Sequence, residues 1–138
     1  FIDDYFIKFP KISEFLTQLK EEARREGFSK TIWGRKRYFT AKDSEKNFEG
    51  IAVNTPIQGS AADLIKHAMI KVNSRLKQNN ILCEMLLQVH DELVFECHKS
   101  SVKEAAKIIT EEMETAIKLS VPLKVKLNWG RDWLEAHS

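Results

Sequence analysis

Residues 81–97 form an apolar, β-prone run that is interrupted near its centre by His90, Asp91 and Glu92. Charged carboxylates are costly to bury without partners, so the interruption has to lie at the surface or in a cleft. The pattern therefore predicts two strands that meet at a polar tip. This antiparallel hairpin is the feature around which the rest of the chain has to be arranged.

Amphipathic helices are predicted where apolar residues recur every three to four positions. The first is expected to end at Gly27 as its C-cap. The second is expected to start at Thr55, with Pro at the first helical position, and the third at Ser101; they should end near residues 78–80 and near Leu119. Thr55 and Ser101 each precede a Gln or Glu by three residues, which is the spacing of a capping box.

The remaining segments predict short strands and loops. Residues 28–40 predict a hairpin that turns near Gly34, and the polar residues 41–48 are expected to be irregular. Residues 123–129 alternate like a half-buried strand with a basic outer face, and residues 130–138 are expected to be a tail. The whole pattern predicts one α+β domain in which helices pack on an antiparallel sheet.

The charge balance limits how this chain could bind nucleic acid. Its 138 residues carry 22 basic and 20 acidic side chains, for a net charge of +2. Binding through a strong overall positive field is therefore excluded, and a local basic patch is required. The densest patch is formed by Arg35, Lys36 and Arg37, and a second lies among residues 20–25. A solvated face is the alternative interpretation of each patch.

Cysteine usage and hydropathy indicate a cytoplasmic protein. Cys83 and Cys97 have no CxxC spacing and lie in apolar stretches, which is typical of reduced thiols packed as small apolar groups. No stretch approaches the roughly 20 apolar residues of a membrane span, and no secretory signal is recognisable. The chain begins without Met, so we expect the natural protein to extend upstream, with a monomer as the default state.

Asp91 and Glu92 are candidate metal ligands. Two adjacent carboxylates at a hairpin tip create a local negative charge, and hard divalent cations such as Mg²⁺ are held by oxygen ligands. A solvated acidic turn is the alternative interpretation. The carboxylate pair alone does not distinguish the two.

The context of this pair is more specific. Residues 86–94, LLQVHDELV, closely resemble a motif of the family A DNA polymerases, the bacterial DNA polymerase I type, and residues 54–63, NTPIQGSAAD, resemble a segment found upstream of it in that family. Shorter segments are similar in the same order, at residues 5–10, 33–38, 121–123 and 129–133. The resemblance implies that residues 1–138 are the C-terminal part of a polymerase domain, namely the palm with adjoining helices of the fingers side.

The resemblance implies nucleotidyl transfer from a dNTP to the 3′ hydroxyl of a primer, on primer-template DNA, with two Mg²⁺ ions in the complete enzyme. Asp91 would be a catalytic, metal-binding carboxylate, and Glu92 would support it beside the metal. His90 would position the primer end, although a turn histidine without such a role is the alternative.

Other residues would contact the DNA duplex. The matching amides would reach the minor groove, where every correct base pair presents an acceptor, and the basic triplet would hold phosphates. These residues are Asn54, Gln58, Gln88, Arg35, Lys36 and Arg37. The alternatives are a plain turn residue for Asn54 and a capping-box role for Gln58.

Two departures from the family pattern limit what this chain is expected to do. It has no Asp-Tyr-Ser motif and no nucleotide-binding helix ending in Tyr-Gly, both of which usually come earlier in the family, so we expect the isolated chain to be inactive. Gly50 stands where the family usually has an Arg four residues before Asn54. The runner-up hypothesis is a catalytically inactive polymerase-like module that binds primer-template DNA, and a purely structural domain is the third.

Overall fold

The computed structural model describes residues 2–40 and 45–137. The chain divides into two compact units, Phe1–Asp63 and Leu64–Ser138. The observed mixture of helices with two small antiparallel sheets confirms the predicted α+β class. No helix in the described residues is long and apolar enough to cross a membrane.

The first unit begins with two helices, α1 (Ile2–Lys8) and α2 (Pro10–Glu26). Helix α1 was not predicted from the sequence. The end of α2 is confirmed, because Gly27 adopts a left-handed conformation (φ 74°) and its N–H donates to the Ala23 carbonyl at 3.0 Å. Lys20 on α2 forms a 2.7 Å ion pair with Glu49, and this ammonium group holds the pKa of the Glu49 carboxyl below its ordinary value.

A short hairpin follows, as predicted, with strands β1 (Phe28–Lys30) and β2 (Lys36–Tyr38). Phe28 pairs with Tyr38 and Lys30 with Lys36. Gly34 closes the turn with a positive φ of 85°, which glycine adopts without steric cost, and its N–H donates to a carbonyl within the turn at 2.9 Å.

Helix α3 (Glu45–Asn54) corrects the prediction of an irregular segment over residues 41–48. Residues 45–48 are helical, and residues 41–44 lie outside the described part of the chain. The reason is that Phe48, Ile51 and Ala52 follow the spacing of a helix face. Phe48 packs against Phe39 with ring centroids 4.4 Å apart, which holds the start of α3 against the end of the hairpin.

Thr55 is not the N-cap of a new helix, which is a second correction. Helix α3 continues through a π-helical segment (Thr55–Gly59) directly into α4 (Ser60–Gln78), so the predicted capping box is not formed. Pro56 has no N–H, and the Ala52 carbonyl four residues earlier therefore loses its usual helical donor. The Ser29 hydroxyl from β1 donates to this buried carbonyl at 3.1 Å, which replaces the missing bond.

The second unit has an apolar core. It is built by α4, by strands β3 (Cys83–Val89) and β4 (Glu92–Cys97), and by α5 (Val102–Glu114). The strands form the predicted antiparallel hairpin, with an irregular register between Met85 and Leu87. The buried core cluster consists of Val72, Leu76, Cys83, Ala105, Ile108 and Ile109.

Helix α5 differs from its prediction at both ends. Ser101 makes no side-chain capping bond, and the helix is instead preceded by a short 3-10 turn (Lys99–Ser101). Helix α5 ends at Glu114 rather than near Leu119. The Thr115 hydroxyl donates to the Glu111 carbonyl at 2.6 Å, and Lys71 donates to the Thr115 carbonyl at 3.2 Å, so groups at this helix end find partners outside the helical ladder.

The segment after α5 corrects two further predictions. Residues 123–129 form no strand, because no described strand pairs with them. The predicted alternation of half-buried and exposed side chains is observed, and Leu127 packs on the core. The backbone N–H of Val125 donates to the Glu114 carboxylate at 3.1 Å. The predicted tail contains a short helix, α6 (Trp133–Ala136), and Ser138 lies outside the described residues.

Candidate functional site

The polar tip lies where the sequence predicted it. Val89 pairs with Glu92, so His90 and Asp91 alone connect the two strands. His90 has a positive φ of 54°, and two-residue hairpin turns commonly require such left-handed conformations. The turn therefore presents Asp91 to solvent next to the first residue of β4.

Glu92 has a partner that the sequence analysis missed. Its Oε2 atom lies 3.0 Å from Nε2 of His137, which is 45 residues further along the chain, and both side chains are about half exposed. Nothing local in the sequence indicates this contact. The available signal was the Asp-x-x-Glu spacing at residues 132–135, which predicts a helix start and so argues against a free tail.

Gln88 takes part in the turn itself. Its side-chain amide donates to the His90 carbonyl at 3.0 Å and so holds the residue that adopts the positive φ. The structure therefore brings four of the predicted site residues together in one turn: Gln88, His90, Asp91 and Glu92. The proposed role of Gln88 as a reader of the DNA minor groove stays a prediction.

The two carboxylates fit a hard divalent cation in chemistry but do not complete its coordination. Mg²⁺ prefers six oxygen ligands, and Asp91 together with Glu92 offers two carboxyl groups in an exposed position. Within the part of the chain that the structure describes, no group of three or more His, Cys, Asp or Glu residues is arranged to hold a metal ion. The pair can serve as part of a metal site that needs further ligands.

Asn54 and Gln58 lie one turn apart on the helical run that passes through Pro56, and both side chains are exposed. Residues four apart on such a run share a face, and Gly50 lies one further turn back on α3. The three positions therefore form one exposed stripe, which bears amides at two positions and no side chain at the third.

The three residues of the basic triplet have different surroundings. Arg35 donates from Nε to Asp63 at 2.7 Å and from Nη2 to the Gly59 carbonyl at 3.0 Å, so its guanidinium joins the hairpin turn to the helical run. The Lys36 ammonium lies 4.2 Å from the centroid of the Phe28 ring, a cation–π contact, and Arg37 is exposed. A phosphate-binding role for the three residues stays a prediction.

The hairpin carries an exposed carboxylate turn, and the helical run that precedes it in sequence exposes amides. Both features agree with the polymerase class that the sequence motifs resemble. The family model for DNA polymerase family A matches residues 1–135. The chain belongs to the family A DNA polymerases.

Individual relatives narrow the comparison to DNA polymerase I. The chain is 42% identical over 142 residues to DNA polymerase I of Bacillus caldotenax and 44% identical over 140 residues to that of Caldicellulosiruptor bescii. These alignments cover 99% and 98% of this chain but 16% of each relative. The chain therefore spans about a sixth of the length of these curated relatives.

A solved structure has the same fold. The POL domain of Pol1 from M. smegmatis, in complex with DNA primer-template and dNTP, is 39% identical in sequence and superposes with a TM-score of 0.93. The match covers 99% of this chain and 25% of that chain. This similarity extends over nearly all of the residues discussed above.

Proposed function

We propose that this chain supplies part of the active site of a template-directed DNA polymerase. The reaction joins a dNTP to the 3′ hydroxyl of a primer and releases pyrophosphate. The observation that carries the proposal is the exposed Asp91–Glu92 tip, in a chain whose structural neighbour is a Pol1 domain in complex with primer-template and dNTP. In this proposal residues 1–138 are the palm and adjoining helices of the fingers side.

Asp91 is the carboxylate that would hold a divalent ion, and Glu92 supports it from the next position. In polymerases a pair of Mg²⁺ ions stabilises the charge that develops on the attacking and leaving oxygens. The hairpin contributes by keeping Asp91 at an exposed turn, where its oxygens can reach a ligand. His90 would lie beside the primer end, held in place by the Gln88 contact with its carbonyl.

The exposed stripe of Asn54 and Gln58 would contact the minor groove of the new duplex. Side-chain amides suit this task, because purine N3 and pyrimidine O2 are acceptors at every correct base pair. Arg35, Lys36 and Arg37 would bind phosphates and set register rather than sequence specificity.

Primer extension tests the catalytic proposal. The assay uses the full-length protein that carries this chain, Mg²⁺ and four dNTPs. Asp91→Asn should lower kcat by about 100-fold or more, because a neutral amide holds a divalent ion less well than the carboxylate does. Each 1.36 kcal/mol of lost stabilisation is tenfold in rate. Glu84→Gln, which neutralises an exposed carboxylate elsewhere in the same hairpin, is the matched control and should retain activity. Normal extension by Asp91→Asn would remove Asp91 from the site.

The second hypothesis is a module that binds primer-template DNA without catalysis. The same experiment distinguishes it from the catalytic proposal. DNA binding without extension by the unmodified protein would favour it. We also propose that the 138 residues alone do not extend a primer, because they correspond to about a sixth of the related enzymes. Template-dependent extension by the purified chain would contradict this. A monomeric, cytoplasmic enzyme stays our expectation.

A further inference from the structure

The last helix of the chain contacts the candidate catalytic turn. The Glu92 carboxylate has no proton to give, so the His137 Nε2–H donates to it across the 3.0 Å contact. The other ring nitrogen, Nδ1, lies 3.2 Å from the Trp133 carbonyl oxygen. The neutral ring carries one proton, so the bond to Glu92 leaves Nδ1 with no hydrogen to donate to this carbonyl. The imidazole is therefore held through Nε2, and that end is directed at the residue next to Asp91.

Helix α6 precedes His137 and has only four residues. Helices this short are not stable in isolation. The Asp132 carboxylate accepts the Glu135 N–H at 2.8 Å, and the Glu135 carboxylate accepts the Arg131 backbone N–H at 2.8 Å. These reciprocal bonds cap the first turn in the manner of a capping box.

Two further contacts restrict α6 and the His137 ring. A Cβ atom at Gly130 would lie 2.7 Å from both the Ala136 nitrogen and the Glu135 Cβ, so the backbone folds back against the helix at a distance that only glycine permits. The Trp133 ring packs edge-on to the His137 imidazole, with centroids 5.5 Å apart. These contacts restrict the orientation of the imidazole that meets Glu92.

We propose that His137 is a positioning residue for the catalytic turn, acting by holding the Glu92 carboxylate in one orientation beside Asp91. The inference rests on the proposed polymerase function of that turn. Outer contacts of this kind matter because a carboxylate that is free to rotate spends only part of its time in a productive orientation. The sequence gives no hint of the role, since the partners are 45 residues apart.

Steady-state primer extension by the full-length protein tests the role. His137→Ala should lower kcat about 10-fold with the KM for dNTP within about twofold of wild type, and His137→Gln should recover most of the loss because its amide can still donate to Glu92. His67→Ala removes an exposed imidazole from α4 and should have no effect. In combination with Glu92→Ala, which leaves no acceptor for the imidazole, His137→Ala should cause little additional loss.

Equal losses from His137→Ala with and without Glu92→Ala would overturn the proposal, because the histidine would then act on overall stability and not through Glu92. Hydrogen exchange provides a readout that does not depend on activity. Exchange in the peptide covering α6 should accelerate in each single variant and no further in the double variant. An unmodified protein that extends no primer would contradict the proposed function, and unchanged exchange in every variant would contradict the contact itself.

Discussion

Cys83 shows how the core of the second unit sets the chemistry of a single side chain. It is buried in β3 directly opposite Cys97 of β4. Burial, together with the hydrogen bond and the charge interaction with Cys97, raises the pKa of the Cys83 thiol to about 12. The thiolate is the reactive form of cysteine, so this thiol is held in its unreactive, protonated state at neutral pH.

Alkylation of Cys83 by iodoacetamide should therefore keep rising about tenfold per pH unit from pH 7.5 to 10, because the thiolate fraction increases throughout that interval. The same cysteine in urea-unfolded protein should level off near its ordinary pKa of 9.0. The rates can be measured by mass spectrometry of the peptide that contains Cys83. A plateau near pH 9 in the folded protein would contradict the raised pKa.

At the residue scale, the sequence predicted groups whose signal is local. Asp91 and Glu92 interrupt an apolar run, and that interruption has few structural solutions. His137 was missed because its partner is 45 residues away, and no spacing rule encodes such a contact. Ser29 was missed for a related reason, since the carbonyl that it bonds becomes available only through Pro56 of the helical run.

At the element scale, the helical run from α3 to α4 contains two glycines in opposite environments. A Cβ atom at Gly50 would meet nothing within 4 Å, and this glycine has no positive φ. A Cβ atom at Gly59 would lie 2.9 Å from Cγ2 of Thr31, which is buried and β-branched and so cannot move aside easily.

Gly50→Ala should therefore stabilise the protein by about 0.5–1 kcal/mol, because alanine restricts the unfolded chain without a steric cost in the helix. Gly59→Ala should destabilise it by about 1–3 kcal/mol through overpacking against Thr31. Urea unfolding followed by circular dichroism measures both. Changes of the same sign in the two variants would contradict the assignment of Gly59 as a close-contact position.

Secondary structure was predicted where periodicity and turn chemistry agree. Both hairpins and the greater part of α2, α4 and α5 were predicted. Pro56 misled the prediction because Pro after Thr is typical of a helix start, whereas here a π-helical segment carries the helix through it. The alternating residues 123–129 were read as a strand, but alternation reports burial on one side and not the presence of a pairing partner.

At the scale of the whole molecule, the chain leaves a set of large apolar side chains exposed. Five of them lie on α1, on α2 and between the two helices. They are Tyr5, Ile7, Phe9, Ile12 and Phe15. An open groove of about 430 Å³ lies along the same helices. Apolar patches of this kind bind apolar molecules.

The purified 138-residue chain should bind an apolar fluorescent dye, and Ile7→Lys combined with Phe15→Lys should remove most of the signal by charging this patch. Ile70→Lys, which alters an exposed isoleucine on α4, is the matched control and should leave the signal unchanged. Dye fluorescence across a concentration series measures the effect. A signal equally sensitive to Ile70→Lys would point to general loosening of the fold.

The bond from Ser29 to the Ala52 carbonyl also has a consequence for the order of folding. A helix that crosses Pro56 lacks the backbone hydrogen bond that the Pro56 nitrogen would have donated to the Ala52 carbonyl. The β1–β2 hairpin supplies a donor to this carbonyl through Ser29. Helix formation in the first unit is therefore coupled to a contact 23 residues away in sequence rather than being a purely local event. We expect the hairpin and the helical run to form in one cooperative step, at a rate set by loop closure and not by helix nucleation.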